Sequence, residues 1–483
     1  MELRFPLVEE LPPGADAWES FLHLAHRPGV VFFDSALRDG RLGLRSYAAA
    51  EPFDVLRWRF GDAGDPFALL AEKLAPFRAE REIETQDRPG TAPFRGGAAG
   101  LFGYGLSRAV EALPPFRHDE FGLPDLAVGF YDVVIAFDHA SRRSWIFSSG
   151  FPEREPARRL RRARERLAWA RGLLGGPLRS PREVDALRAA RETPLPPLVE
   201  ASLAPSFEVR GAPGVLSDFS RAGFEAAAHR AIEYVHAGDV FQVNLAQRLL
   251  ARQKSGPIEF YARLRERNPA PFAAYLDLDG FAVASASPER FLQVDGDRVL
   301  TRPIKGTRPR GHGAADDRFA RDELRQSAKD RAENVMIVDL LRNDLSRVCR
   351  PSTVVVPRLF EVETYETVHH LVSEVQGRLR EDCGPIDLLR AAFPGGSITG
   401  APKVRAMEII AELEPVARGV YCGAFGYLGF DGAMDTSILI RTVTAGRGWL
   451  QFPAGGGIVA RSSPSKEYAE TLDKAAGILR ALD

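Results

Sequence analysis

The first 150 residues alternate short apolar runs with glycine turns. Valine, isoleucine, phenylalanine and alanine fill the runs at 30–33, 98–104 and 127–137. Runs of this kind between turn residues predict strands of an antiparallel or mixed sheet. From 156 to 174 the apolar positions instead recur at helical spacing among arginines, so we expect a helix there. The stretch at about 176–214 is rich in Pro, Arg and Glu, which is typical of a linker or an exposed excursion.

A second block begins near Ser217. Its hydroxyl-rich start at 217–220 precedes a helical run at 224–237, which Gly238 can close. Further apolar runs predict three strands and a last helix, at 242–250, 272–278, 281–287 and 465–482. Helices that alternate with strands indicate an α/β or α+β fold with large sheets. We therefore expect three regions, at 1–150, 151–214 and 215–483, of which the middle one is a helix and a linker.

Length and composition fit a large globular enzyme. The 483 residues exceed one ordinary domain, which predicts two domains or one two-lobed fold. Lysine and arginine total 64 against 65 aspartates and glutamates, and this balance does not indicate a nucleic-acid partner. The arginines at 154–171 are interleaved with Glu and Ala, as on a solvated helix face.

The cysteines and the apolar runs bear on the compartment. Cys349, Cys383 and Cys422 are far apart and form no CxxC pair, so the sequence predicts neither a disulfide framework nor a zinc site. Residues 1–6 lack the long apolar run of a secretory signal, and no run of 18 uncharged apolar residues occurs. We expect a cytoplasmic protein with no membrane partner.

Lys305 is the first candidate for chemistry, because three arginines surround it. Arg302, Arg308 and Arg310 share its segment at 301–310. Cationic neighbours disfavour a charged amine, and burial would lower the pKa of Lys305 in the same direction. A neutral amine near pH 7 is a nucleophile or a base. The alternative is a solvated basic loop without a catalytic role.

Four carboxylates form two pairs at helical spacing. Asp330 and Glu333 share one helix face, and Glu467 and Glu470 share a face at the start of the last helix. Together they could form an oxygen-only site for a hard divalent cation such as Mg²⁺. Spacing alone is equally compatible with exposed acids on two helices.

Two glycine segments indicate a small anionic ligand. The segment at 393–403 ends in Pro402, which suits the first position of a following helix whose amides could bind an anion. Backbone can also approach a ligand closely at 454–458. Ordinary glycine turns remain the alternative for both. Neither segment matches a P-loop or a dinucleotide fingerprint, so a nucleotide site is not expected.

Taken together, these motifs resemble the chorismate-utilising enzymes, which include anthranilate, aminodeoxychorismate, isochorismate and salicylate synthases. The resemblance covers about 215–480 and implies a two-lobed sandwich of two sheets flanked by helices, like anthranilate synthase component I. It is looser in the first block, at 33–35 and 93–97. The segments that carry it lie in family order at 238–245, 287–291, 303–307, 333–344, 370–373, 393–403, 418–424, 440–442 and 455–457, followed by the last pair of glutamates.

The resemblance also implies roles for individual residues. Glu333 and Glu470 would bind Mg²⁺ directly, and Asp330 and Glu467 would support it through water, although relatives often have Glu at the position of Asp330. The other implied contacts are with chorismate: Tyr421, Arg441 and the amides of Gly455, Gly456 and Gly457 at a carboxylate, Gly306 and Thr307 at the ring, Lys474 near the metal, and His370 near the leaving group or the pyruvyl side.

Two positions separate the members of this family. Isochorismate and salicylate synthases use a lysine base where Gln242 stands, and Gln cannot take a proton. Anthranilate synthases carry a small residue in place of Lys305. A lysine there marks the aminodeoxychorismate synthases, in which it is thought to attack the ring while Glu289 acts as the general acid.

The resemblance thus implies amination of chorismate to 4-amino-4-deoxychorismate, the precursor of p-aminobenzoate and folate. The chain has no amidotransferase block, so ammonia would come from a separate glutaminase subunit. Anthranilate synthase and a catalytically idle regulatory homologue remain as alternatives. The sequence leaves open whether the region of Ser35 and 268–273 keeps the family's tryptophan pocket.

Overall fold

The computed structural model describes residues 5–38, 42–78, 92–311, 313–365 and 368–482. Within these ranges, helices flank two large antiparallel sheets, which confirms the predicted fold class. Residues 1–4, which belong to the N-terminal segment discussed above, lie outside the described part.

The strands, in chain order, are β1 (Leu7–Glu10), β2 (Val31–Asp34), β3 (Arg45–Ala49), β4 (Asp54–Trp58), β5 (Gly97–Phe102), β6 (Leu126–Tyr131), β7 (Val133–Asp138), β8 (Arg143–Ser148), β9 (Phe207–Glu208), β10 (Val215–Ser217), β11 (Gln242–Arg252), β12 (Phe272–Asp277), β13 (Phe281–Ser287), β14 (Arg290–Asp295), β15 (Arg298–Thr301), β16 (Ile304–Pro309), β17 (Val355–Thr364), β18 (Val368–Arg378), β19 (Gly400–Ala401), β20 (Ala424–Gly429), β21 (Met434–Ile438), β22 (Thr442–Gly446) and β23 (Trp449–Ile458).

The α-helices are α1 (Ala17–Leu24), α2 (Pro66–Leu74), α3 (Pro156–Leu174), α4 (Pro181–Arg191), α5 (Arg221–Ala237), α6 (Pro257–Arg267), α7 (Ala314–Gln326), α8 (Ala328–Ser346), α9 (Pro385–Ala392), α10 (Lys403–Leu413) and α11 (Pro464–Ala481). None of the described helices is long and apolar enough to span a membrane.

Both sheets combine strands from distant parts of the chain. The larger has the order β1-β8-β7-β3-β2-β12-β13-β22-β23-β11-β10-β9, with β19 beside β11. The smaller has the order β16-β18-β15-β14-β21-β20-β5-β6-β4, with β17 beside β18. Strands of the first 150 residues therefore pair directly with strands from beyond 215, as β2 does with β12 and β5 with β20. The division of the chain at 150 and 215 stays a prediction.

Aromatic side chains fill the space between the sheets. Phe33 on β2 stacks on Phe425 of β20, with ring centroids 4.7 Å apart, and Phe94 stacks on Tyr427 at 4.5 Å. Burying each such side chain contributes roughly 1.5–3 kcal/mol, so this layer fixes the two sheets against each other. The sheets in turn position the loops and helices that carry the candidate site.

Several local predictions agree closely with the structure. Helix α3 occupies the residues predicted for it, and α5 is capped by the Ser220 hydroxyl and closed by Gly238, whose φ is +85°. Pro402, however, lies at the cap of α10 rather than at its first helical position. The residue is one step earlier than expected because Gly400 and Ala401 pair with β11 up to that point.

The stretch predicted as a linker contains a packed helix. Ser180 and Glu183 form a capping box at the start of α4, and the helix packs against α6. The guanidinium of Arg188 donates to the Asp277 carboxylate at 2.7 Å, where Asp277 is 4% exposed. The low apolar content of α4 hid it from sequence reasoning, because a buried ion pair supplies much of its attachment.

Candidate active site

A β-bulge presents Lys305. On β16, Ile304 pairs with Val372 and Thr307 pairs with His370, and the register shifts between these two pairs. Gly306 lies in the bulge with φ of +82°, and a Cβ there would lie 2.8 Å from Leu324 and 2.9 Å from the Asp330 carboxyl carbon. A bulge re-aims the side chains next to it, so the glycine is what allows Lys305 to turn towards α8.

The Lys305 amine lies deep although part of its side chain is accessible. It donates to the main-chain carbonyl of Ser397 at 3.1 Å. Burial lowers the pKa of Lys305, and the Lys474 ammonium adds to this effect, while the carboxylates of Glu333 and Glu289 oppose it. The net lowering favours the nucleophilic, neutral form of the amine.

The neighbouring arginines do not contribute to this lowered pKa as predicted. Each is paired with acids elsewhere: Arg302 with Glu363 and Glu374, Arg308 with Glu323 and Asp330, and Arg310 with Asp317. Their positive charge is therefore compensated locally. The predicted direction for the pKa of Lys305 is confirmed, but burial rather than the arginines is the main cause.

Glu289 is the nearest candidate proton carrier. It follows β13, is 6% exposed, and accepts a hydrogen bond from the Ser397 hydroxyl at 3.0 Å. Burial raises the pKa of Glu289 to about 7, although Lys305, the Ser397 hydroxyl and the Ile304 amide each lower it in part. A carboxyl group with this pKa can both donate and accept a proton near neutral pH.

His370 and Arg441 lie next to each other at the edge of the site. The Nδ1 of His370 lies 2.8 Å from the Thr307 hydroxyl, and burial followed by the Arg441 charge lowers the pKa of His370 to about 4. The imidazole is therefore neutral near pH 7. Arg441 has a φ of +50°, burial lowers the pKa of its guanidinium, and none of the described acids pairs with it. A partly buried cation that no described acid neutralises is suited to an anionic ligand.

The predicted acidic residues lie on two helices that face this site. Burial raises the pKa of Glu333 on α8, and its Oε1 is buried without a hydrogen-bond partner. On α11, burial also raises the pKa of Glu467. Glu470 accepts from Lys474 at 2.7 Å, and Lys474 holds the pKa of Glu470 below its ordinary value despite burial. Lys474 also donates to the Gly455 carbonyl at 2.9 Å, which ties α11 to β23.

The chain is also similar in sequence and fold to known proteins. A family model described as chorismate binding enzyme matches residues 36–480. Aminodeoxychorismate synthase component 1 of Salmonella typhimurium is 44% identical, and the match covers 100% of both chains. Anthranilate synthase component 1 of Thermus thermophilus is 39% identical over 96% of this chain and 94% of its own. The crystal structure of anthranilate synthase component I from Streptococcus pneumoniae has a TM-score of 0.73 at 30% identity, and covers 92% of this chain and 93% of its own.

The chain belongs to the chorismate binding enzymes. Membership in this family makes it a chorismate-utilising enzyme. The resemblance noted in the sequence is thereby confirmed, and the fold of the family agrees with the two sheets observed.

In this chorismate binding enzyme, the triple glycine lies against Gln242 and the acids of α11. A Cβ on Gly456 would lie 3.4 Å from carboxylate oxygens of both Glu467 and Glu470. A Cβ on Gly457 would lie 2.7 Å from the Gln242 side-chain nitrogen. Gln242 is fully buried, and both polar atoms of its amide lack a hydrogen-bond partner in the described part of the chain. The absence of side chains at Gly456 and Gly457 therefore allows Gln242 and the α11 carboxylates to pack directly against the β23 backbone.

The four acids match a metal site in their chemistry but only in part in their positions. Among the described residues, no three His, Cys, Asp or Glu side chains converge closely enough to hold a metal ion. Glu333 nevertheless lies within electrostatic range of Asp330 and Glu470, and Glu467 within range of Glu470. The Oε1 of Glu333 accepts no hydrogen bond from the described residues, and its ion-pair contact is with Lys329 Nζ at 3.8 Å. This open oxygen and the oxygen-only donor set fit a hard cation such as Mg²⁺.

The sequence predicted Tyr421 near a ligand carboxylate, and missed Ser397. Tyr421 is 4% exposed, and its ring lies 5.8 Å from the Arg418 guanidinium carbon. None of the contacts described for Tyr421 reaches Lys305 or Arg441, so its role at the carboxylate stays a prediction. Ser397 contacts both Lys305 and Glu289. The signal available for it was a hydroxyl directly after two glycines in the 393–403 segment.

The region of Ser35 borders a separate cavity between the sheets. It has a volume of about 260 Å³, and Phe33, Tyr47 and Arg290 are among its lining residues. Arg290 pairs there with Asp435 through two contacts of 2.9 Å. A cavity is therefore present where the sequence left the question of a pocket open.

Proposed function

We propose that this protein is component 1 of an aminodeoxychorismate synthase, which converts chorismate and ammonia to 4-amino-4-deoxychorismate for p-aminobenzoate and folate synthesis. Whole-length similarity to the Salmonella enzyme of that name supports the proposal. Similarity to anthranilate synthases is nearly as high, so overall identity does not separate the two activities. The residues of the active site must therefore distinguish the two activities.

The observation that carries the proposal is the amine of Lys305. It lies beside Glu289, its pKa is lowered by burial, and its hydrogen bond to the Ser397 carbonyl fixes its position. The anthranilate synthases that this sequence resembles have a small residue at the position of Lys305. A nucleophile placed there adds a covalent route that those enzymes lack.

In the first step, the Lys305 Nζ forms a bond to C2 of the chorismate ring. Both ring double bonds shift, the C4–O bond breaks, and the proton of Glu289 passes to the departing hydroxyl to give water. Ammonia then bonds to C4, the double bonds shift back, and the bond between C2 and Nζ breaks. The Glu289 carboxylate takes the proton lost by the new amino group, which restores the starting enzyme.

Other residues hold the substrate for these steps. The guanidinium of Arg441, which pairs with none of the described acids, would bind a carboxylate of chorismate, with Tyr421 and the amides of Gly455 to Gly457 beside it. Gly306 and Thr307 would border the ring, and neutral His370, held by Thr307, would contact the leaving group or the pyruvyl side without supplying a proton.

Glu333 and Glu470 would hold Mg²⁺ directly, with Asp330 and Glu467 acting through water and Lys474 adding charge beside them. When bound, Mg²⁺ would supply positive charge for a second carboxylate. Ammonia would come from a separate glutaminase subunit, and we place the enzyme in the cytoplasm.

Two assays test the proposal. Purified protein with chorismate, Mg²⁺ and ammonium should form aminodeoxychorismate; anthranilate as the product would identify the alternative synthase, and absence of chorismate consumption would indicate an idle homologue. Without ammonia, mass spectrometry should find a covalent adduct on the peptide that contains Lys305. Aminodeoxychorismate formation at the normal rate by Lys305→Ala would contradict the covalent role.

A further inference from the structure

Ser397 contacts both reacting groups through different atoms. Its main-chain carbonyl accepts from the Lys305 amine at 3.1 Å, and its hydroxyl donates to Oε1 of Glu289 at 3.0 Å. The residue is 6% exposed, so water does not readily replace either bond. One residue thus fixes the direction of the amine and occupies one oxygen of the carboxyl group.

The turn that carries Ser397 is held on several sides. It spans Gly396–Ile398, and a Cβ on Gly396 would lie only 2.4 Å from Leu340 of α8. The Arg418 guanidinium donates to the Ile398 carbonyl at 3.0 Å, and the Asn244 amide donates to the Thr399 carbonyl at 2.7 Å. A turn clamped in this way positions its side chain before substrate arrives, at little entropic cost during the reaction.

We propose that Ser397 is a positioning residue that joins Lys305 and Glu289 into one hydrogen-bonded unit and decides which carboxyl oxygen carries the transferable proton. The Ser397 hydroxyl occupies Oε1. The Ile304 amide also donates to this carboxyl group, but a protonated Oε2 still carries a hydrogen that it can give to the leaving group. The inference rests on the proposed function, because it assigns a part in the same lysine-dependent step.

The charges around Glu289 make the effect of Ser397 measurable. Lys305 on β16 is the charged group that acts on Glu289, and the adjacent Arg290 is paired with Asp435 of β21. The hydroxyl of Ser397 stabilises the carboxylate form and so lowers the pKa of Glu289. Its removal must raise that pKa, and the protonated acid then persists to higher pH.

The test measures the rate of the Lys305 adduct in the absence of ammonia, across pH 6–9, by quenched mass spectrometry of the full-length protein. Where Lys305 is neutral, the wild-type rate should fall as pH rises through the pKa of Glu289. In Ser397→Ala, the falling limb should move to higher pH by about 0.5–1 unit, because one hydrogen bond to a charged group is lost. Ser397→Thr keeps the hydroxyl and should keep the wild-type limb.

Thr399→Val is the matched control. It removes a buried hydroxyl from the same loop, one that donates to the Gly395 carbonyl and does not touch Glu289. It should lower the rate by a constant factor at every pH. If Ser397→Ala does not fold, Ser397→Gly is a second variant that lacks the hydroxyl.

The outcomes separate this inference from the proposed function. A uniform loss of rate in Ser397→Ala, with an unmoved limb, would show a merely structural residue and would overturn the inference. If the wild type itself forms no adduct on Lys305, the proposed function fails first. A shifted limb in Ser397→Ala and an unshifted one in Thr399→Val support the inference.

Discussion

Two buried combinations of lysine and carboxylate lie near the 393–403 loop, and they differ in how their charges are matched. Lys403 contacts Asp344 directly at 2.8 Å and also donates to the Ala392 carbonyl, which joins α8, α9 and α10. Lys305 donates to a neutral carbonyl instead, and makes no ion pair among the described residues. Its carboxyl neighbour Glu289 is held independently by the Ser397 hydroxyl.

The difference teaches what distinguishes a structural pair from a reactive one. Burial lowers the pKa of both lysines and raises the pKa of both acids, to about 6 for Asp344 and about 7 for Glu289. In the first pair, each charge is the main partner of the other, so neither is free to change its state. In the second, each group has its own neutral partner, so a proton or a covalent bond can be exchanged without leaving a buried charge unmatched.

The largest expected difference is in the chemistry. Lys305→Ala should lower aminodeoxychorismate formation by roughly 10³-fold or more, because a nucleophile in a covalent route has no substitute. Lys403→Ala should retain chemistry in whatever fraction of the protein is folded. Turnover per folded molecule, with folding checked by circular dichroism, measures this. Equal losses in both variants would remove the distinction between the two pairs.

For stability the order is reversed, because the substitution at Lys403 should have a larger effect than the one at Lys305. Lys403→Met leaves Asp344 buried without its cation and should lower the free energy of unfolding by about 3–5 kcal/mol. Lys305→Met removes a desolvated amine whose neighbour keeps its own hydrogen bonds, so stability should be retained or rise by about 1 kcal/mol. Denaturant titration of both variants, made with the same substitution, provides the comparison. A strong loss of stability in Lys305→Met would show that its charge is needed for the fold.

The smallest expected effect is in the pH dependence. Where Lys305 is already neutral, adduct formation depends on protonated Glu289, whose pKa is about 7, and the rate should fall roughly fivefold between pH 7 and pH 8. The sign follows from the role as an acid: the active form is present below the pKa and is lost above it. Asp344→Asn should leave this limb in place, whereas Glu289→Gln should abolish it at a much lower rate. A limb that follows Asp344 would contradict the assignment.

Local sequence pattern predicted local structure well. Helix α3, strand β13 and the closure of α5 by Gly238 lie where the pattern placed them, since capping and apolar spacing act within a few residues. The pattern failed at α4, where Arg188 is buried against Asp277, about 90 residues away in the chain. A polar residue buried by a distant partner has no local signature.

The same limit applies to the site. The sequence singled out Lys305 and Glu289, but the partners that occupy Arg302, Arg308 and Arg310 come from other elements and were not foreseen. The two bonds of Ser397 likewise depend on how the 393–403 loop folds over α8. Residue type and spacing identify reactive groups, whereas the pKa of each group depends on tertiary contacts.

The interleaving of the strands also constrains how the chain reaches its native state during synthesis. Strand β5 is completed at Phe102, yet Phe102 pairs with Ala424, about 320 residues later. At about 5–20 residues per second, the ribosome needs roughly 15 to 65 seconds to deliver that partner. Throughout that interval one edge of β5 lacks its native neighbour, so the nascent chain exposes an apolar strand that chaperones must protect. The first 150 residues alone should accordingly be a poor folding unit.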